Sequence, residues 1–176
     1  MEIDRLKAIV LYVLNKVDGK CIGKHELFKI LYFASQYHLI KYGDTIISDF
    51  YAFMYGPVPS ELSDYLNSKN IITDSILFDF EANYILSPKE EANLEQLSKS
   101  EIECLNQSIE ENFGLKFNLL TQKSHDSAWQ KAWKKQSILG NRGAKIDIIN
   151  MAIAAGATES TIEYIKEDLL LTATLS

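Results

Sequence analysis

Cysteine, histidine and proline are scarce in this sequence, and each shortage closes off a class of protein. The 176 residues hold two cysteines, three histidines and three prolines. Cys21 and Cys104 cannot build a disulfide framework, and no CxxC occurs, so reduced thiols are the expectation. His25 and His38 fall on one predicted helix, too far apart along it to share a metal ion unless it bent sharply. No HExxH, glycine-rich phosphate loop or GxSxG is present. We expect neither a metal nor a cofactor.

Long apolar runs are missing too. A membrane span needs about 20 apolar residues, and polar residues interrupt every run here well short of that. Met1-Glu2-Ile3-Asp4-Arg5 carries acids where a signal peptide would carry bases. The expectation is a cytoplasmic protein with no membrane partner. Repeats, low-complexity runs and Pro/Gly/Ser linkers are also absent. One domain over 1–176 is the natural reading at this length.

Positive charge is in deficit. Lys and Arg number 18 against 24 acids, for a net charge of −6. Such a chain repels phosphate backbones unless a local basic patch overcomes the average. The densest basic stretch, Lys131-Ala132-Trp133-Lys134-Lys135, is short, so nucleic acid is disfavoured as a partner. Hydrophobic content of 47% is ordinary for a globular chain that buries roughly 70% of its unfolded surface.

The periodicity predicts a mainly α, α+β domain: a compact helical body with a small antiparallel sheet or hairpin. Ile3, Leu6, Ile9, Val13 and Val17 form one helical face, ended by Asp18-Gly19. Lys24 to Lys41 reads as a second helix, apolar on several sides and therefore central, closed by Tyr42-Gly43-Asp44. Ile46 to Tyr55 is β-branched and aromatic, an extended strand that Gly56-Pro57-Val58-Pro59 takes out of any ladder. A helix from Pro59 or Ser60 to about Asn67 turns Leu62, Tyr65 and Leu66 inward. Ile76–Phe80 and Tyr84–Leu86 flank Glu81-Ala82-Asn83 as a hairpin, which with the earlier strand makes a small sheet or flap. Ser87-Pro88-Lys89-Glu90 has the signals of a helix start, with helix to about Phe113 and a stop at Gly114. Lys116 to Leu120 reads as a connector, then a helix from Ser127 to about Ser137 capped by Ser124 or Asp126. A loop from Ile138 to Gly143, a helix from Ile146 to Ala154 and a last helix from Glu159 to about Leu171 complete the chain.

Three clusters carry potential chemistry. Cys21 and His25 could form a nucleophile pair at a helix start, but no orienting third group lies near them in sequence. Ser124, His125 and Asp126 are adjacent, whereas triad members come from separate segments. Capping explains them more simply, with His125 and Trp129 packing together on one face. Tyr51, Phe53 and Tyr55 can share one strand face, with Ala52 and Met54 on the other. That aromatic row serves either the core or a partner surface.

Three segments in fixed order resemble a known family. Lys29-Ile30-Leu31-Tyr32-Phe33-Ala34 is similar to its K-L-L-Y-F-A helix. Tyr51-Ala52-Phe53-Met54-Tyr55-Gly56-Pro57-Val58 is similar to its F-x-A-W-x-x-G-P-V signature. Leu119-Leu120-Thr121 through His125 and Trp129 is similar to its L-S/T-x-x-x-H-x-x-x-x-W segment. This is the SocA-like antitoxin family, whose domain is called Panacea and which includes phage-associated proteins. Phe53 replaces the usual Trp, and Met54 a common Lys or Arg. The match runs over about Leu6 to Trp133, with the helices of 146–171 outside it and expected to pack on the domain.

The resemblance implies an antitoxin encoded beside a toxin, which it neutralises by direct binding or by delivery to an ATP-dependent protease. It attributes no catalytic residue to the family, so a non-enzymatic role is expected. A second copy of the chain is a further candidate partner. Tyr51, Phe53, Tyr55, Gly56, Pro57, Val58, His125 and Trp129 are the family-motif residues and the candidate partner-binding set. Glycine and proline at a sharp turn also have a sufficient structural reason to be there. The alternatives are a DNA-binding regulator of its own operon, through Lys131, Lys134 and Lys135, and a hydrolase using Cys21, His25 or His125. The toxin-gripping surface could instead lie in the hairpin or the C-terminal helices.

Overall fold

The computed structural model describes residues 2–17, 22–79, 85–135 and 144–175. Its elements in chain order are α1 (Ile3–Lys16), β1 (Ile22–Gly23), α2 (Lys24–Tyr42), β2 (Phe50–Phe53), β3 (Gly56–Pro59), α3 (Ser60–Tyr65), α4 (Ile71–Asp74), β4 (Ile76–Asp79) and β5 (Ile85–Pro88). A 3-10 turn at Leu94–Gln96 follows. Then come α5 (Lys99–Asn112), α6 (Phe117–Ser124), α7 (Ser127–Lys134), α8 (Ile148–Ala154) and α9 (Glu159–Leu175). The chain is mainly α, as the periodicity predicts, and the described residues form two small antiparallel sheets where one was expected.

Helix α2 is the axis. It is apolar on every side, and packing against α5, α6, α8 and β3 covers all of its middle. Leu27, Ile30, Leu31, Tyr32 and Ala34 are fully buried. Burying a helix all round also buries its polar residues, and Lys29, Ser35, Gln36 and His38 are inside. Each finds a partner, as buried polar groups must. Ser35 accepts from the Ile47 amide, while His38 meets the Asp44 carbonyl at 2.8 Å and Ser100 at 3.1 Å. On the α5 side, Ser108 donates to the Ile30 carbonyl at 2.6 Å. The buried cluster runs from Leu6 of α1 to Ile165 of α9.

Gly43 ends α2 at φ 76°, and a Cβ there would stand 2.5 Å from the Tyr164 ring of α9. That glycine both stops the helix and gives α9 a flat place to dock. Beyond this contact α9 projects: Leu170 and Leu171 are 67% and 62% exposed.

The sheets differ from expectation in three ways. The chain does not leave the ladder at Gly56. Instead β2 turns through Met54 and Tyr55 and pairs with β3, Ala52 opposite Pro57 and Phe50 opposite Pro59. Proline is tolerated because β3 is an edge strand and needs no donor at those positions. Ala52 and Phe50 use their backbone groups on the far side, with Ala144 and Ile146. Second, the β4–β5 hairpin joins β1, not β2. Third, Ser87 and Pro88 belong to β5, paired with Leu77 and Ile76, and no helix starts there. The helix start is Ser98, in a complete capping box with Glu101.

Lys116 to Leu120 is not a connector; α6 begins at Phe117. The two-residue β1 and the short α4 have no counterpart in the sequence reading. Helices α1, α2, α3, α7, α8 and α9 fall close to their expected bounds. The stop at Asp18-Gly19, Cys21, the tip of the β4–β5 hairpin and the loop from Ile138 to Gly143 lie outside the described residues.

Leu31→Ala is expected to lower unfolding free energy by about 2–5 kcal/mol. Leu170→Ala, on the projecting part of α9, should change it by no more than about 0.5 kcal/mol. Urea denaturation of both variants checks the pair.

Candidate functional site

The three family-like segments meet at one place, around the buried side chain of Lys29. Lys29 is 1% exposed and its Nζ donates to the Pro57 carbonyl at 2.8 Å. Among the described residues no carboxylate pairs with it. Burial therefore pulls its pKa down from the usual lysine range to about 7.

Gly56 lets this contact exist. Its φ is 101°, where side chains are disfavoured, and a Cβ there would lie 2.6 Å from Lys29 Cε and collide with Ser124 Oγ. Pro57 suits the next position for a complementary reason. Its carbonyl faces outward from the β2–β3 pair and is free to accept the ammonium.

Helix α7 closes the site from the other side. Asp126 caps it, Oδ1 accepting from the Trp129 amide at 2.9 Å. Its Oδ2 accepts from Tyr32 at 2.9 Å and Gln36 at 2.7 Å, both on α2. One carboxylate thus starts α7 and fixes it to the central helix. Trp129, so placed, donates from Nε1 to the Phe53 carbonyl at 3.0 Å. His125 stacks on Trp129 with centroids 3.6 Å apart, and Trp129 stacks on Trp133 at 5.2 Å.

Two histidines come close to Lys29. His25 stacks on Phe117 at 4.0 Å and shares a hydrogen bond with Thr121 at 3.0 Å. Desolvation, then the Lys29 charge, lowers its pKa to about 4, against a raising effect from the Tyr55 backbone. His125 is lowered by the same two causes in the same order. Its buried Nε2 meets no hydrogen-bond partner among the described residues, while a hydrogen bond with the Met54 backbone works to raise the ring's pKa. Beside these groups lies a pocket of about 420 Å³ walled by His25, Lys29, Phe53, Tyr55, Val58 and Trp133. A second groove joins Tyr55, Phe117, Thr121 and His125.

The family-motif residues divide. Gly56, Pro57 and Trp129 are buried in the turn and its support. Tyr51 and Phe53 share one face of β2 and are half-buried, while Ala52 faces the core. Val58 and His125 are half-buried. Tyr55 does not continue the strand row; it sits in the turn beside Met54, and both are 58% exposed. The hydrolase cluster converges only in part. His25 and His125 meet around Lys29, and Cys21 lies outside the described residues. Cys104 is buried against α2, with its thiol pushed up to about 11. Lys134 and Lys135 are exposed, and Lys131 donates to Asn150. No group of three or more metal-ligating residues occurs among the described residues, and no described helix is long and apolar enough to cross a membrane.

Sequence reasoning missed the part played by Lys29, Asp126 and Phe117. The available signal was a lone lysine between Phe28 and Ile30 in a helix apolar all round, where it could not reach solvent. Phe117 was hidden by its assignment to a connector.

A family model described as antitoxin SocA-like, Panacea domain, matches residues 27–130, well over half of the chain. That span contains Lys29, the β2–β3 hairpin, Asp126 and Trp129, while His25 and Trp133 lie just outside it. No curated protein and no solved structure matches the chain.

Two measurements test this site. Gly56→Ala should destabilise the fold by about 1–3 kcal/mol or more in chemical denaturation, since it adds both strain and a collision. The second is pH dependence. Folded Lys29 releases its proton near pH 7, unfolded lysine near 10.5. Between those values the unfolded state holds more protons, so stability should rise with pH, by up to about 1.4 kcal/mol per unit. Lys29→Met should lose that slope, read from unfolding curves at pH 7.5, 8.5 and 9.5.

Proposed function

The chain belongs to the SocA-like antitoxin family with a Panacea domain, and on that premise we propose that it neutralises a cognate toxin by binding it, without catalysis. The contact face in this reading is the tip of the β2–β3 hairpin with the start of α6. One observation supports it above others. Met54 and Tyr55, each 58% exposed, stand beside Phe117, 49% exposed, with the Tyr55 and Phe117 rings 5.6 Å apart edge-on. Tyrosine and methionine held rigidly at a surface are what partner-binding centres are built from. Trp129, Lys29 and Gly56 brace the tip from behind. An acidic chain of net charge −6 suits a basic partner.

Within this reading the residues divide by task. Tyr55 touches the toxin, with Tyr51, Phe53 and Val58 at the flanks. Gly56, Pro57, His125 and Trp129 position the tip from beneath. The whole of 1–176 acts as one unit, with α8 and α9 included. Blocking of the toxin is the simplest mode, and delivery to an ATP-dependent protease is the finer alternative.

Co-expression with the product of the adjacent gene is the test. The expected outcome is a complex that survives gel filtration and restores growth. Tyr55→Asp should weaken that complex at least about tenfold, or 1.4 kcal/mol, and leave the thermal midpoint within a few degrees of the parent. Neither complex nor rescue would sink the reading. A complex untouched by Tyr55→Asp would move the contact face elsewhere. Falling toxin levels that depend on a protease would favour delivery over blocking.

A further inference from the structure

We propose that the pocket between α2, the β2–β3 turn and α7 is a binding site for a carboxylate carried on an aromatic or branched apolar body. Three observations converge on it. The first is an ammonium with spare donors. Lys29 Nζ has three N–H bonds, and the Pro57 carbonyl is the acceptor it meets among the described residues. Buried charges are normally paired. Here the half-buried Arg5 and the surface Lys123 have acids, Glu101 and Glu111, while the far more buried Lys29 has none.

The second is the sign of the surroundings. Among the described residues, the charged or titratable side chains at the pocket wall are Lys29, His25 and Tyr55, and none of them is a carboxylate. The Lys29 charge also reaches His125, whose buried Nε2 meets no partner among the described residues. The carboxylate of the knot, Asp126, is occupied by Tyr32, Gln36 and the start of α7. An acidic protein has therefore set aside one apolar recess that is short of negative charge.

The third is the character of the wall. Phe53, Tyr55, Val58 and Trp133 offer flat and branched apolar surface around about 420 Å³. That volume accepts one ring-sized group. A phosphate fits this chemistry less well, because a dianion calls for an arginine fork or several backbone amides. A monoanion matches a single lysine. The pocket takes such a group whether it arrives as a free acid or as an acidic, aromatic segment of a partner, so the inference stands apart from the toxin reading.

Phenylacetate and its neutral counterpart phenylacetamide are the probes, titrated into the intact protein with Trp133 fluorescence and amide NMR shifts as readouts. The acid is expected to bind saturably and at least about tenfold more tightly than the amide. Binding an anion favours charged Lys29, so affinity should fall above pH 7, by up to about tenfold per unit. Lys29→Met should erase the preference for the acid. Because that change also loosens the turn, Val58→Trp serves as the second variant: it fills the pocket, leaves the Lys29–Pro57 bond in place and should abolish binding of both probes. Equal affinity for acid and amide, a flat pH profile between 6 and 9, or no saturable change would overturn the proposal. Where a toxin complex is in hand, displacement by phenylacetate assigns the group to the partner, and a ternary complex assigns it to a free acid.

Discussion

An ammonium buried at the centre of the protein sets the terms for everything near it. Lys29 lies in a helix buried on every side and is itself almost wholly buried. Its one accommodation is the Pro57 carbonyl, and that demand dictates the turn. The backbone must approach the lysine stem more closely than any side chain allows, which requires glycine at position 56. The following residue must present a carbonyl while needing no donor of its own, which suits proline on an edge strand. The hairpin is thus shaped from inside, by a charge, as much as by its own ladder.

Asp126 is the matching element on the opposite side. A helix needs a cap, and a buried tyrosine hydroxyl and glutamine amide need an acceptor. One carboxylate serves all three, so the start of α7 cannot shift without unsatisfying two polar groups of α2. Trp129 inherits that precision and carries it to Phe53 at the base of the hairpin tip. Met54 and Tyr55 can therefore stand exposed at the tip of a turn that is hydrogen-bonded from beneath.

Much of this was legible in the residues. Periodicity and stop signals placed α1, α2 and the C-terminal helices, because one-sided or all-round apolar spacing reports directly on burial. The order of the Lys29, Gly56-Pro57 and His125–Trp129 segments identified the family, and those segments are in contact in the fold. What failed was local signal overruled by distant pairing. Ser87-Pro88 has good helix-start chemistry, yet cross-strand partners Leu77 and Ile76 hold it extended. Phe117 looked like connector because α6 leaves Phe117 and Leu119 in solvent, so no single buried face announced a helix. Gly56-Pro57 looked like the end of a ladder because the donor count of β3 depends on which strand edge it occupies, a fact settled far along the sequence, where Ala144 and Ile146 cover the far side of β2.

That covering segment has a consequence for the boundaries of the fold. The matched family span ends at residue 130, but the hairpin it contains is sealed by residues 144–146. Cut back to the matched span, the chain would present the amide of Ala52 and the carbonyl of Phe50 along an open, aromatic strand edge. Such an edge recruits other strands, its own copies first. The backbone pairing that covers β2 on that side therefore extends to Ile146, past the matched span. Residues 144–146 thus cover a strand edge that the matched span by itself leaves open.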